Sequence, residues 1–170
     1  MARPVETVFP ALFEWPAMSF SGRPTTYVEQ DIENDGFWPN LSVSEFQKAY
    51  RLPGEYLGEL LVTLLSTEML EVNRDLNRLK TSWQDIGITE VATADSRVLP
   101  KRAHQVALYK RAVYCRAKGT ALTDFATVTR REIAENTGKE APERGETYLA
   151  FSQQAVRALQ GRSRITAALL

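Results

Sequence analysis

Residues 61–83 read LVTLLSTEMLEVNRDLNRLKTSW, and the spacing of their apolar side chains decides the fold. Val62, Leu65, Met69, Val72, Leu76, Leu79 and Trp83 recur at alternating intervals of 3 and 4. That interval places all of them on one side of an α-helix, whereas a half-buried strand needs every second residue. Val62, Leu65, Met69, Val72, Leu76 and Leu79 are therefore assigned to the helical core. Leu57, Leu60, Leu61 and Leu64 widen the apolar face near its start, which predicts that this end is covered on more than one side. The pattern reaches back to about Glu55 and gives a rod of roughly 40 Å at ~1.5 Å per residue. A rod that long suits a subunit that leans on partners, and it also suits the core helix of a monomeric bundle; periodicity alone leaves both open.

On the N-terminal side, Ser42-Val43-Ser44-Glu45 has capping-box spacing, which predicts that Ser42 accepts from the Glu45 amide while Glu45 reaches back. Phe46, Ala49 and Tyr50 follow as an apolar stripe. Pro53-Gly54 ends that short helix, and Pro53 is placed to enter the first turn of the rod. On the C-terminal side, Gly87 to Ser96 reads as a loop. Pro100 opens a third helix over 101–118, with Gly119 as its terminator. Thr120 to Arg131 is a further helical stretch, broken by Thr137-Gly138-Lys139 and Pro142. A last helix from about Glu143 to Gln160 presents Tyr148, Phe151, Ala155, Val156 and Leu159. Gly161 then supplies the left-handed residue that ends it.

The fold class is thus all-α: a small helical bundle with one long helix, an extended N-terminal arm and a C-terminal tail. The divisions are an arm over 1–36, a helical domain over 37–160 and a tail over 161–170. Prolines 4, 10, 16, 24 and 39 deny regular structure to most of the N-terminal segment. Its aromatics, Phe9, Phe13, Trp15, Phe20, Tyr27, Phe37 and Trp38, suit an arm that wraps its own domain or a neighbour, with a loosely tethered arm as the alternative. The tail, GRSRITAALL, mixes Arg162 and Arg164 with Ile165, Leu169 and Leu170, a blend of cations and apolar anchors suited to burial in something else.

A net charge of zero hides an asymmetry. Residues 1–96 carry 7 Lys+Arg against 15 Asp+Glu, a net −8, and residues 97–170 carry 14 against 6, a net +8. Such a split serves nucleic acid, or joins one copy's acidic part to the next copy's basic part, or is merely solvated. The one cysteine permits no internal disulfide, which fits a reducing cytoplasm. No secretory signal is expected from Met1 to Pro10, which has Glu6 and two prolines and no apolar run behind it. No membrane partner is expected either, since the longest apolar run, Leu60 to Leu65, is interrupted by Thr63.

No catalytic residue, cofactor or metal site emerges. His104 has no nucleophile tied to it by spacing, and Cys115 reads as a buried thiol. One cysteine and one histidine cannot supply a zinc set. Thr137-Gly138-Lys139-Glu140 fails as a phosphate loop, with Ile133 where the first glycine belongs and Glu140 in place of Ser or Thr. Glu29, Asp31, Glu33 and Asp35 alternate in a way that could attract a cation, but a solvated turn ending at Asp35-Gly36 is the simpler reading. The cations of the third helix scatter around its axis, which weakens a DNA-groove reading.

Four stretches, FWPNLSVSEFQKAYRL, EVNRDLNRLK, YKRAVYCRAKG and ALQGRSRITAALL, resemble head completion proteins of tailed bacteriophages, the kind encoded by temperate contractile-tailed phages. The resemblance spans residues 37–170. It implies a non-enzymatic virion protein at the head–tail junction, passing through the host cytoplasm during assembly. It further implies a dodecameric adaptor ring beneath the portal, which retains packaged double-stranded DNA without sequence preference and offers a surface to a tail completion or terminator protein. In such adaptors the C-terminal segment grips the portal, so Arg162, Arg164, Ile165, Leu169 and Leu170 are the candidate portal-binding residues. The alternative is a cytosolic helical protein that binds DNA nonspecifically through Arg130-Arg131 and Arg162-Arg164.

Overall fold

A computed structural model describes residues 27–52, 56–94, 99–124 and 144–163. Within them the chain forms β1 (Asp31–Ile32), β2 (Leu41–Ser42), α1 (Val43–Ala49), α2 (Gly58–Asp85), a 3-10 turn (Val91–Thr93), α3 (Leu99–Asp124) and α4 (Gly145–Leu159). The architecture is all-helical but for β1 and β2, which pair antiparallel with Asp31 opposite Ser42 and Ile32 opposite Leu41. Residues 1–26 of the expected arm lie outside the described residues. From Val28 onward the chain is held against the bundle: the Val28 amide donates to Gln47 Oε1, and Ile32 is buried.

The long helix runs for 28 residues. Leu65, Met69, Val72 and Leu76 are buried on it, while Val62 and Leu79 are half-buried against the same cluster. Leu61 joins Leu65, Val72 and Leu76 as a fully buried side chain, each such burial contributing about 1.5–3 kcal/mol. The start of α2 departs from expectation. It begins at Gly58 with Leu57 as its cap, Pro53 lies outside the described residues, and Leu57 and Leu60 are exposed at 68% and 44%. Its end is a Schellman cap: Gly87 has φ +85°, its amide donates to the Gln84 carbonyl, and the Ile88 amide donates to that of Trp83.

α3 is the central element, packed on α2 on one side and on α4 on another. Asn34, Asn73 and Tyr109 close a triangle of hydrogen bonds among them. Tyr109 Oη donates to Asn73 Oδ1 (2.6 Å), Asn73 Nδ2 to Asn34 Oδ1 (2.9 Å), and Asn34 Nδ2 to Tyr109 Oη (2.8 Å). A partly buried polar set in which each member finds partners helps fix the register of the elements that carry it. Trp38 stacks on the Tyr109 ring with centroids 4.7 Å apart, and Phe46 on that of Tyr114 at 5.5 Å.

Two expected boundaries are corrected. Gly119 does not end α3, which continues to Asp124, so the two helical stretches expected at 101–118 and from Thr120 are continuous there; residues 125–143 lie outside the described ones. Gly119 instead lies against Gly145, where a Cβ would meet the Gly145 carbonyl oxygen and the Leu149 side chain at 3.0 Å. The glycine is a point of close helix approach. Nor does Ser42 build a capping box. It is the cap residue of α1 but makes no side-chain cap bond, because its hydroxyl pairs with that of Ser44. Glu45 is drawn away by Lys110 Nζ (2.6 Å) and the Tyr114 hydroxyl (3.1 Å).

Candidate assembly interface

The C-terminal helix ends in a second Schellman cap. Gly161 has φ +67°, the Gly161 amide donates to the Ala158 carbonyl, and the Arg162 amide donates to the Arg157 carbonyl. Arg157 then turns its guanidinium on the departing chain: Nε and Nη2 both donate to the Ser163 carbonyl, at 3.0 and 2.8 Å. The first residues of the tail therefore leave α4 in a set direction. Arg162 and Ser163 are exposed there. Arg164, Ile165, Leu169 and Leu170 lie outside the described residues.

Beneath this exit a polar network ties α4 to the other helices. Gln160 Nε2 donates to the Asp75 backbone carbonyl (3.1 Å), and the Asp75 carboxylate takes Arg116 Nη2 (2.6 Å). The Ser152 hydroxyl, fully buried, donates to the Ala112 carbonyl at 2.7 Å. Thr120 Oγ1 satisfies the buried Glu68 carboxylate at 2.7 Å. Part of the charge asymmetry is thus satisfied within one subunit, since Glu45–Lys110 and Asp75–Arg116 each join the acidic half to the basic half.

On the side of α3 away from α2 lies an open groove of about 420 Å³, lined among others by Ala107, Arg111, Tyr114, Tyr148 and Phe151. Arg111 is exposed and stands over the Phe151 ring at 5.4 Å. Cys115 sits at the groove wall, buried, 3.5 Å from the Tyr50 hydroxyl, and burial pushes its thiol above the ordinary range. Desolvation likewise lifts the hydroxyls of Tyr50, Tyr109 and Tyr114 well above the usual tyrosine range. These are groups held neutral in the packing.

A family model described as phage head completion protein (GPL) matches residues 32–170. The chain belongs to that family. The head completion protein is also 31% identical over 145 residues to a "Probable head completion/stabilization protein" of Haemophilus phage HP1 (strain HP1c1), an alignment covering 85% of this chain and 95% of the relative. No solved structure matches. Membership makes the protein a structural, non-enzymatic component of the phage head.

Of the four acidic residues singled out near the N-terminus, Asp35 and Glu29 are engaged by partners within the head completion protein. Asp35 accepts from the Phe37 and Trp38 amides and from Lys80 Nζ (2.7 Å). Partial burial opposes ionisation, yet these bonds prevail and hold its carboxyl below the ordinary range. Glu29, bonded by Ser44 and facing Lys48, is lowered as well. Among the described residues no group of three or more His, Cys, Asp or Glu is placed to hold a metal ion. His104 is exposed on α3. Sequence reading missed Arg157 as the residue that orients the tail; its position four before Gly161, at the carbonyl a Schellman cap uses, was the available signal.

Proposed function

We propose that this head completion protein is a head-to-tail adaptor, a dodecameric ring seated beneath the portal after packaging, which retains double-stranded DNA in the head and offers a docking surface to a tail completion protein. In this reading residues 1–36 are an arm, 37–160 the adaptor domain and 161–170 the portal-docking tail. The observation that carries it is the double fixing of the tail's exit, by the Gly161 cap and by Arg157 on the Ser163 carbonyl. A segment aimed in this way is suited to capture by another protein. Arg162 and Arg164 would pair with acidic portal residues, and Ile165, Leu169 and Leu170 would fill apolar pockets. With many identical tails on one ring, avidity multiplies a modest contribution from each.

Lys110 and Arg116 face carboxylates of their own chain, whereas of the cations of the DNA-binding alternative Arg162 is exposed and Arg130, Arg131 and Arg164 lie outside the described residues. Contact with the genome is expected to be weak, sequence-independent and steeply salt-sensitive.

Truncation after Ser163 tests the reading, since it keeps the residues that complete the cap. Circular dichroism and melting should match the full chain, while co-sedimentation with portal should be lost. A much lower melting temperature would place the terminus in its own subunit's core, and undiminished co-sedimentation would place the portal grip elsewhere.

A further inference from the structure

The face of α2 turned away from the core carries a second regular seam. Leu60, Thr63, Thr67 and Leu70 are spaced 3, 4 and 3, and all of them are exposed, Leu70 at 60%. By helical periodicity they stand about half a turn from Leu65, Val72 and Leu76, which face the core. The threonines contribute methyl groups to this seam and not hydroxyls. Thr63 Oγ1 donates to the Glu59 carbonyl and Thr67 Oγ1 to the Thr63 carbonyl, each at 2.9 Å. The result is an uncharged strip edged by Glu59 and, toward its far end, by Glu71, which is paired with Arg74 at 3.0 Å.

The groove lies on the other side of the subunit. Tyr109, Arg116 and Thr120 of α3 bond to Asn73, Asp75 and Glu68 of α2. Ala107, Arg111 and Tyr114, which line the groove, are about half a turn around α3 from that set. The groove is aromatic and carries Arg111, its other cation, Lys110, being paired with Glu45, so it matches the strip in apolar character and Arg111 opposes the Glu59 edge in charge. Two unlike, complementary patches on opposite faces of one subunit are what a head-to-tail ring contact requires.

We infer that the outer strip of α2 in one copy docks into the α1–α3–α4 groove of the next copy. The inference rests on the ring reading proposed above and assigns the faces that would build it. The strip's leucines lie along the Tyr148 and Phe151 rings, and Arg111 meets Glu59.

Two variants of the full chain test it, Leu70→Asp on the strip and Ala107→Asp/Arg111→Glu in the groove, by native mass spectrometry of each alone, mixed, and with portal. Each variant alone should lose assembly about tenfold or more in concentration dependence. Their mixture should give a one-to-one dimer that grows no further, because the intact groove of the first accepts the intact strip of the second. A wild-type chain that never exceeds one copy, alone or on portal, overturns the ring and this assignment together. If the wild type assembles and both variants assemble equally well, the ring stands and the faces are wrong. Loss in Leu70→Asp alone, with no dimer on mixing, would mean that α2 pairs with α2. A marked fall in the melting temperature of Leu70→Asp would mean that its own chain covers the strip, which also overturns the assignment.

Discussion

Replacing Gly145 with Ala probes the close approach of α4 to α3. The added Cβ would lie 2.9 Å from the Gly119 carbonyl oxygen and 3.3 Å from Thr123 Oγ1. The first obstacle is helix backbone, in the C-terminal part of α3, and cannot swing aside, so α4 must move as a body. Overpacking of this kind costs about 1–3 kcal/mol. Gly145 is the first residue of α4, so it gains little of the roughly 1 kcal/mol that Ala holds over Gly in a helix interior. Gly119→Ala collects that gain, being interior, and should therefore be the milder change although its Cβ meets the Gly145 carbonyl oxygen and the Leu149 side chain at 3.0 Å. Because both substitutions push the same helices apart, the double variant should lose less than the sum of the two, by about 0.5 kcal/mol or more. Urea unfolding followed by circular dichroism measures all three, with an unchanged slope confirming that only stability has altered. Were Gly145→Ala as stable as the wild type, the helices would not cross at this distance and the account of Gly119 would fail.

Leu76→Ala empties a fully buried site on α2 and should cost about 2–5 kcal/mol in the same assay; a loss well under 1 kcal/mol would remove Leu76 from the core. Asp35 titrates below its ordinary value of 3.8 in the folded chain, so its stabilisation is complete above that pH and is lost as pH falls through the lower folded value. The stability difference between wild type and Asp35→Asn should accordingly be constant near neutrality and shrink in acid, and a difference that grows in acid would contradict the assigned sign. Cys115, buried and raised, should react with thiol reagents at neutral pH only as fast as the chain opens, whereas labelling at the rate of a free thiol would place it at the surface.

The elements legible in the sequence were those whose signal is local. The alternating intervals of Val62 to Trp83 announced α2, and Gly87 and Gly161 sit at positive φ beyond the ends of their helices. Gly119 carried the same local signal and meant something else, because its role depends on Gly145, a residue 26 positions away. Glu45 failed as a capping residue for the same reason: Lys110 and Tyr114 are distant in sequence and adjacent in space. Leu57 and Leu60 were read inward from apolarity alone, yet nothing in a periodic pattern says whether the element that covers a face belongs to the same chain. Of the candidate portal-binding residues, the tail's composition was plain to see, but the guanidinium that aims it appears only when Arg157 and Ser163 stand side by side.

The pairing of early carboxylates with late partners carries a consequence for how the chain is made. Glu45 awaits Lys110, 65 positions on, and Asp75 awaits Arg116, 41 positions on. Buried Glu68 awaits Thr120, 52 positions on, and Asn73 awaits Tyr109, 36 positions on. At about 5–20 residues per second of synthesis, these delays run from roughly 2 to 13 s. Throughout that interval α2 has emerged without the helix that covers its apolar side, and Glu68 has no hydroxyl to meet it. The N-terminal half is therefore a folding dependant of α3. Subunits reach their packed form only once α3 has left the ribosome, and a chain interrupted before that point presents an uncovered leucine seam to chaperones and proteases.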